Sequence, residues 1–273
     1  MTVTTALPAR PAAGRHRDDF VNVLRAELAK VRTVRSSYAA VSAAFAANIG
    51  FAVLAAALIA PRLSAHDRAS IDVVELALAG LHLSQIAFGV LGALVITSEY
   101  STGMIRVTLA ATPRRRVLLT AKALVLAGLT LITATASTFA AYLAFQAALP
   151  ARTLTGTALS DPGIARAVAG GGLYLTVLAL LGFGLGVVLR SSAAAIATLF
   201  GLLFVPPLLL ELLPGSWKNI IGPYVPMESG SQVYIAAHRD AVALGPWTGF
   251  GVFCLYAATA VLAGLFLATR RDA

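Results

Sequence analysis

Six long apolar runs, parted by short polar segments, set the pattern of this chain: about Tyr38–Ala60, Val73–Thr97, Val117–Leu149, Ala167–Leu189, Ala193–Leu213 and Trp247–Ala268. A helix needs roughly 20 apolar residues to cross the hydrocarbon core of a bilayer. The pattern therefore predicts an all-α membrane protein with six transmembrane helices. The third run exceeds the minimum and has room to tilt or to project from the bilayer. Pro61 closes the first run, and Pro206-Pro207 should break or bend the fifth.

Ahead of these runs the period changes. Phe20, Leu24, Leu28, Val31 and Val34 recur at helical spacing, with Arg25, Lys30, Arg32 and Arg35 mostly off that stripe. This predicts an amphipathic interfacial helix over 18–36, its apolar face among acyl chains; a solvated helix is the alternative. Residues 1–17, rich in Ala, Pro, Thr and Arg without periodicity, read as a disordered tail. The first apolar run starts too late for a secretory signal, so no cleavage is expected. Residues 214–246 mix prolines and glycines with short apolar groups, too broken to span, and predict a re-entrant or interfacial segment.

Composition strengthens the membrane reading. Hydrophobic residues make up 58% of the chain and charged ones 12%, against about 25% charged in soluble domains. The net charge of +9 is compatible with nucleic-acid binding, but the basic residues flank the apolar runs, which favours topology. With the N-terminus inside, most of the Lys and Arg, including Arg114, Arg115, Arg116, Arg190, Arg270 and Arg271, fall on the inner side. The positive-inside rule then places both termini in the cytoplasm of a multi-pass plasma-membrane protein. A single cysteine, Cys254, excludes an intrachain disulfide, and the four histidines form no cluster with metal-ligand spacing.

Chemistry is mostly conspicuous by absence. A phosphate-binding loop closes on Gly-Lys-Ser/Thr; none of Lys30, Lys122 and Lys218 follows a glycine. No acidic pair sits in the middle of a run, as a proton- or sodium-coupled carrier would need; Glu75 and Glu211 lie near run ends. Asn48, Ser84 and Gln85 are candidate substrate-route residues, with His82 and Gln146 also polar within apolar surroundings. Hydrogen bonding between helices explains each of them as well. Gly182, Gly184 and Gly186 permit close helix packing, and Gly182 to Gly186 has the GxxxG spacing that also serves dimers.

The most informative polar stretch joins the second and third runs, from Ile96 through Glu99-Tyr100-Ser101-Thr102-Gly103-Met104-Ile105-Arg106 to Arg116. If 99–111 is one helix, Tyr100, Met104, Val107 and Ala111 share a face, and Glu99 and Arg106 share a side. Gly103 inside it would cost up to about 1 kcal/mol against alanine. Thr112 and Pro113 suit the start of a new helix. Arg114, Arg115 and Arg116 would occupy its first turn, where cations are disfavoured and anionic headgroups offset the cost.

At these residues the sequence resembles the membrane-spanning subunits of type-2 ATP-binding-cassette (ABC) exporters. The resemblance rests on Glu99-Tyr100, Gly103, Arg106, Thr108-Leu109-Ala110, Pro113-Arg114-Arg115 and Ala121-Lys122. It is joined by the entry helix Leu24–Ser36, the turn Leu189–Ile196 and the ending Arg270-Arg271-Asp272. The resemblance implies a permease subunit, itself no enzyme, that pairs with a second identical or related protomer. ATP and Mg would be handled by a separate ABC ATPase subunit. It implies 98–112 as the coupling element, with Glu99, Tyr100, Gly103 and Arg106 meeting the ATPase. Pro113 and the arginines from Arg114 to Arg116 would shape re-entry and anchor lipid. On that mechanism Glu99→Lys is expected to leave the protein in the membrane and to abolish substrate-stimulated ATP hydrolysis. The substrate is not implied. A non-transporting sensory or immunity module of the same topology is the alternative.

Overall fold

A computed structural model describes residues 12–33, 35–64, 66, 71–111, 114–150, 156–237 and 242–270. Among them the chain is helical and contains no strand. The elements are α1 (Ala12–Thr33), α2 (Arg35–Leu54), α3 (Val73–Ala77), α4 (Leu81–Ser101), α5 (Met104–Ala111) and α6 (Arg115–Ala148). They continue with α7 (Ile164–Leu189), α8 (Ser192–Leu210), α9 (Gly215–Ile221), α10 (Pro226–Ser231) and α11 (Pro246–Arg270). Six helical stretches are long and apolar enough to cross a membrane: Val41–Arg62, Leu81–Ser101, Arg115–Ala148, Ile164–Leu189, Ser192–Leu210 and Pro246–Arg270.

Several boundaries differ from the apolar pattern, each for a local reason. The helix α1 begins at Ala12, earlier than residue 18; Pro11 is the last proline before α2, and the one glycine of α1, Gly14, falls in its first turn. The second crossing helix begins at Leu81 rather than Val73. Asp72 caps the short α3 by accepting from the N–H groups of Val74 and Glu75. The chain then turns over residues 78–80, and Gly80 lies against Asn48, leaving no room for a side chain. At its other end α4 outruns the apolar run and reaches Ser101. Ser98, Ser101 and Thr102 return their hydroxyls to carbonyls of Leu94 and Ser98, so polar residues extend the helix. Before Pro61, which lacks an N–H to donate one turn back, α2 widens into a π turn over Ala55–Ile59. The expected break at Pro206-Pro207 is absent; α8 runs through both prolines to Leu210.

The organising helix is α7. It packs against α4, α6, α8 and α11, and two thirds of its most apolar window is buried. Three glycine contacts explain how closely. A Cβ on Gly92 of α4 would fall on the Ala179 carbonyl of α7, and one on Gly182 of α7 would fall on the Gly89 carbonyl of α4. On another face, a Cβ on Gly184 would come 2.6 Å from the Val261 nitrogen of α11. The glycines at 182, 184 and 186 are therefore occupied within this chain. Tyr174, wholly buried, stacks on Phe253 at 5.2 Å and meets Tyr234 edge-on at 5.3 Å. Outward faces are apolar instead: Ile132, Leu208, Leu255 and Leu262 are all largely exposed. A bundle with apolar groups both inside and outside suits a lipid surround.

Candidate functional site

The stretch from Glu99 to Arg106 is not one helix. Thr102 closes α4 by donating its N–H to the Ser98 carbonyl, and Gly103 follows at φ +72. That left-handed conformation suits glycine and ends helices. The chain restarts as α5, and its register changes. Glu99 turns into the bundle and is 7% exposed, whereas Arg106 is exposed, so the two no longer share a side. Tyr100 is half-buried, while Met104 and Val107 are exposed at 50% and 71%. Ile105 and Leu109 of α5 face the opposite way, into a cluster with Ile96, Leu118, Leu119, Phe183 and Val187. Thr112 and Pro113 lie outside the described residues.

Buried Glu99 is part of a charge network that joins three helices. Lys122 of α6, 3% exposed, donates to Glu99 Oε1 at 2.6 Å and to Glu27 Oε2 of α1 at 2.7 Å. Lys30, one turn along α1, donates to Glu99 Oε1 at 3.0 Å and to Glu27 Oε1 at 3.2 Å. Isolated charges in such surroundings are very costly, and pairing is what makes them tolerable. Burial lowers the Lys30 pKa, but its bond to Glu99 and the charge of Glu27 outweigh this and raise it overall. The contribution of Lys30 is therefore complete below its ordinary value of 10.5 and is lost only as pH climbs through the higher folded value. A cavity of about 20 Å³ borders the Glu27–Lys122 pair, lined otherwise by Leu91, Val95, Val125, Leu126 and Leu129. That is room for one water.

Sequence reasoning placed Glu99 on a partner-facing surface and missed Glu27, Lys30 and Lys122 as its neighbours. A signal existed. Lys122 is a lone cation inside a long apolar run, and such a group must find an acid. Which acid was not readable, because Glu27 lies 95 residues away on another helix. Burial also alters the meaning of Glu99→Lys: it would bring a third ammonium against Lys122 and Lys30, so the variant tests folding rather than surface contact.

The three arginines divide. Arg114 and Arg116 are exposed. Arg115 turns to the last helix and donates to the Ala268 carbonyl at 3.0 Å. Cations are favourable at a helix C-terminus, so the end of α11 offsets the unfavourable position of Arg115 at the start of α6. Nearby, Arg190 ends α7 in a left-handed conformation (φ 54) and lays its guanidinium 5.3 Å from the centre of the Tyr100 ring. Ser191 caps α8 through the Ala194 N–H, and Ser192 bonds Thr97 at 2.8 Å. The tight turn between α7 and α8 is thus seated on the end of α4.

The polar residues inside the bundle are engaged in contacts between helices. Asn48 donates to Ser137 Oγ at 3.0 Å, and Ser84 donates to the Ala44 carbonyl at 3.2 Å. Gln85 accepts from the Tyr174 hydroxyl at 2.7 Å. Gln146 and Tyr142 both hold Thr157. His82 bonds the Ala79 carbonyl of its own turn, and Glu211 pairs with Lys218 at 2.6 Å on the surface. Tyr174→Phe removes the buried donor to Gln85 and is expected to cost about 2 kcal/mol, read as a lowered melting temperature in detergent. At this same end Asp72 and Arg166 hold the segment after α10. Asp72 accepts from the N–H groups of Ala236 and Ala237, while Arg166 donates to carbonyls of residues 232–236. Burial, and then the charges of Glu75 and Glu228, push the neighbouring Tyr234 hydroxyl well above the usual range.

A bundle of six candidate spans with an amphipathic helix pinned to it by charge, and a short helix standing off one end, defines a multi-pass membrane protein. The chain belongs to the ABC-2 family of transporter proteins, whose model matches residues 23–210. The match takes in Glu27, the α4–α5 break, Lys122 and the turn at Arg190. The role of an ABC-transporter permease comes with that family, as does association with an ABC ATPase component. No curated protein matches the chain.

Proposed function

We propose that this chain is the permease subunit of an ABC exporter, moving its substrate across the plasma membrane with ATP and Mg bound by a separate ATPase subunit. The observation that carries the reading is the division of α5. Its inner side, Ile105 and Leu109, is packed into the bundle, and its outer side presents Met104, Arg106 and Val107. A short helix packed on one side and bare on the other is suited to receive force from a partner. Exposed Arg25 and Leu28 of α1 extend the same end. The distribution of Lys and Arg supports a cytoplasmic location for this end and for both termini. On this reading residues 214–246 lie on the outer face.

Within that surface Arg106 is the contact we favour, with Tyr100 and Gly103 shaping the approach and Glu99 acting from inside. Arg114 and Arg116, both exposed, suit contact with anionic headgroups. Asn48, Ser84 and Gln85 each bond across helices, with Asn48 Oδ1 and Gln85 Nε2 left buried without a partner; the thinness of a six-helix bundle favours a route between two protomers over one through a single chain. The sparsely buried α8 and α11 provide surface for a second copy or a related subunit.

The test is paired substitution on α5. Arg106→Glu and Val107→Asp should leave membrane insertion and melting temperature unchanged, because both side chains are exposed. Each should reduce co-purification of the ATPase subunit from mild detergent at least tenfold, with transport lost in parallel. Undiminished co-purification and transport in both variants would overturn the assignment of α5. A parent chain that holds no ATPase would favour the non-transporting module instead.

A further inference from the structure

The charge network has an arrangement that its role in stability does not explain. α1 packs chiefly against α6, and among its described side chains no apolar one larger than alanine is fully buried: Phe20, Val21, Val23 and Leu24 are half-buried, Val23 against the cluster below α5, while Ala26, Leu28 and Ala29 are exposed. The strong contacts of α1 are the charged ones. Glu27 reaches Lys122 on α6, and Lys30 reaches Glu99 on α4. Glu99 in turn lies one turn before Gly103, where α5 departs. Its Oε1 takes both ammonium groups, while Oε2 is buried without a hydrogen-bond partner. Apolar side chains of similar volume would fasten a helix at least as firmly as a buried ion pair. What charges add is direction: each ammonium is shared between Glu27 and Glu99, which favours the placement of α1 that brings the two carboxylates together.

We infer that Glu27, Lys30, Glu99 and Lys122 form a joint that makes the entry helix α1 and the short helix α5 move as one piece. Glu99 and Lys122 are then positioning residues. Both are buried, and they set where α1 stands relative to the helix that receives the partner's force. This rests on the reading of α5 given above only for its purpose; the joint itself belongs to the single chain.

The test uses the full chain in lipid nanodiscs with Cys254→Ser, since Cys254 would otherwise take label. Spin labels at exposed Asn22 on α1 and Ala110 on α5, each introduced as cysteine, report the distance between the two helices. The parent should give one narrow distance distribution. The triple variant Glu27→Gln, Glu99→Gln, Lys122→Met removes the three buried charges and leaves only the part-exposed Lys30, and should at least double the width. Glu99→Gln alone keeps the Glu27–Lys122 pair, and should broaden the distribution less. If the triple variant does not fold, Glu99→Gln against the parent carries the comparison. An unchanged width in the variant measured would overturn the joint, showing that apolar packing alone holds α1.

A second readout separates this from stability. With the ATPase subunit present, the triple variant should retain the subunit, and trapping that subunit with ATP and vanadate should leave the label distance unchanged in the parent but shift it in the variant. Retention with an unshifted distance in the variant would also overturn the inference. A parent chain that binds no ATPase would instead remove the reading of α5, with the spin-label result still deciding the joint.

Discussion

Lys122→Met is expected to damage this protein more than any other single substitution in the charge network. It leaves Glu27 and Glu99, 5% and 7% exposed, facing each other without their central cation. Lys30 remains, but its side chain is 36% exposed and its bonds are longer. Removing one partner of a buried ion pair costs about 3–5 kcal/mol. The purified variant should melt well below the parent in detergent, and less of it should reach the membrane. Removing the two buried carboxylates with Glu27→Gln and Glu99→Gln in the same chain should recover most of the loss, because the penalty comes from the uncompensated acids and the remaining Lys30 is part-exposed. A melting temperature for Lys122→Met equal to the parent's would mean that water reaches the network freely.

Gly92→Ala is expected to rival it, for a steric reason. The added Cβ would occupy the place of the Ala179 carbonyl, so relief requires the backbones of α4 and α7 to part. A flexible side chain could rotate away; a backbone held in two helices cannot. Overpacking a tight core commonly costs about 1–3 kcal/mol, and this contact belongs at the upper end. Because α7 also carries α6, α8 and α11, the displacement should spread, seen as early elution changes and aggregation on gel filtration. Gly128→Ala is the control. Nothing lies within 4 Å of a Cβ there, and alanine should stabilise the α6 helix by about 0.8 kcal/mol. An equal response at the two positions would mean that the α4–α7 crossing is looser than its geometry.

These expectations draw on very different parts of the information in the chain. The spans were legible because a lipid surround demands long apolar runs, and a run announces itself locally. Their ends were less legible. The second crossing helix shifted toward its C-terminus because Asp72 and Gly80 redirect the chain on one side, while serine and threonine hydroxyls prolong the helix on the other. The prolines at 206 and 207 were expected to break or bend α8, and they do not break it. Gly103 was recognised as a costly residue for a helix; that it ends one depends on its left-handed backbone, and with that the pairing of Glu99 and Arg106 on one side disappears.

The amino-acid sequence by itself determined that this is an all-helical membrane protein with six candidate spans and the marks of an ABC permease, because hydropathy, helical period and motif spacing are properties of neighbouring residues. The tertiary structure alone decided that Glu99 is buried against Lys122 and Lys30, that Arg115 bonds the end of the final helix, and that the glycines of α7 are taken up within the chain. Each of those facts joins residues from helices far apart in sequence. A buried charge states only that it needs a partner, and a glycine only that something approaches; which group answers is set by how the helices pack.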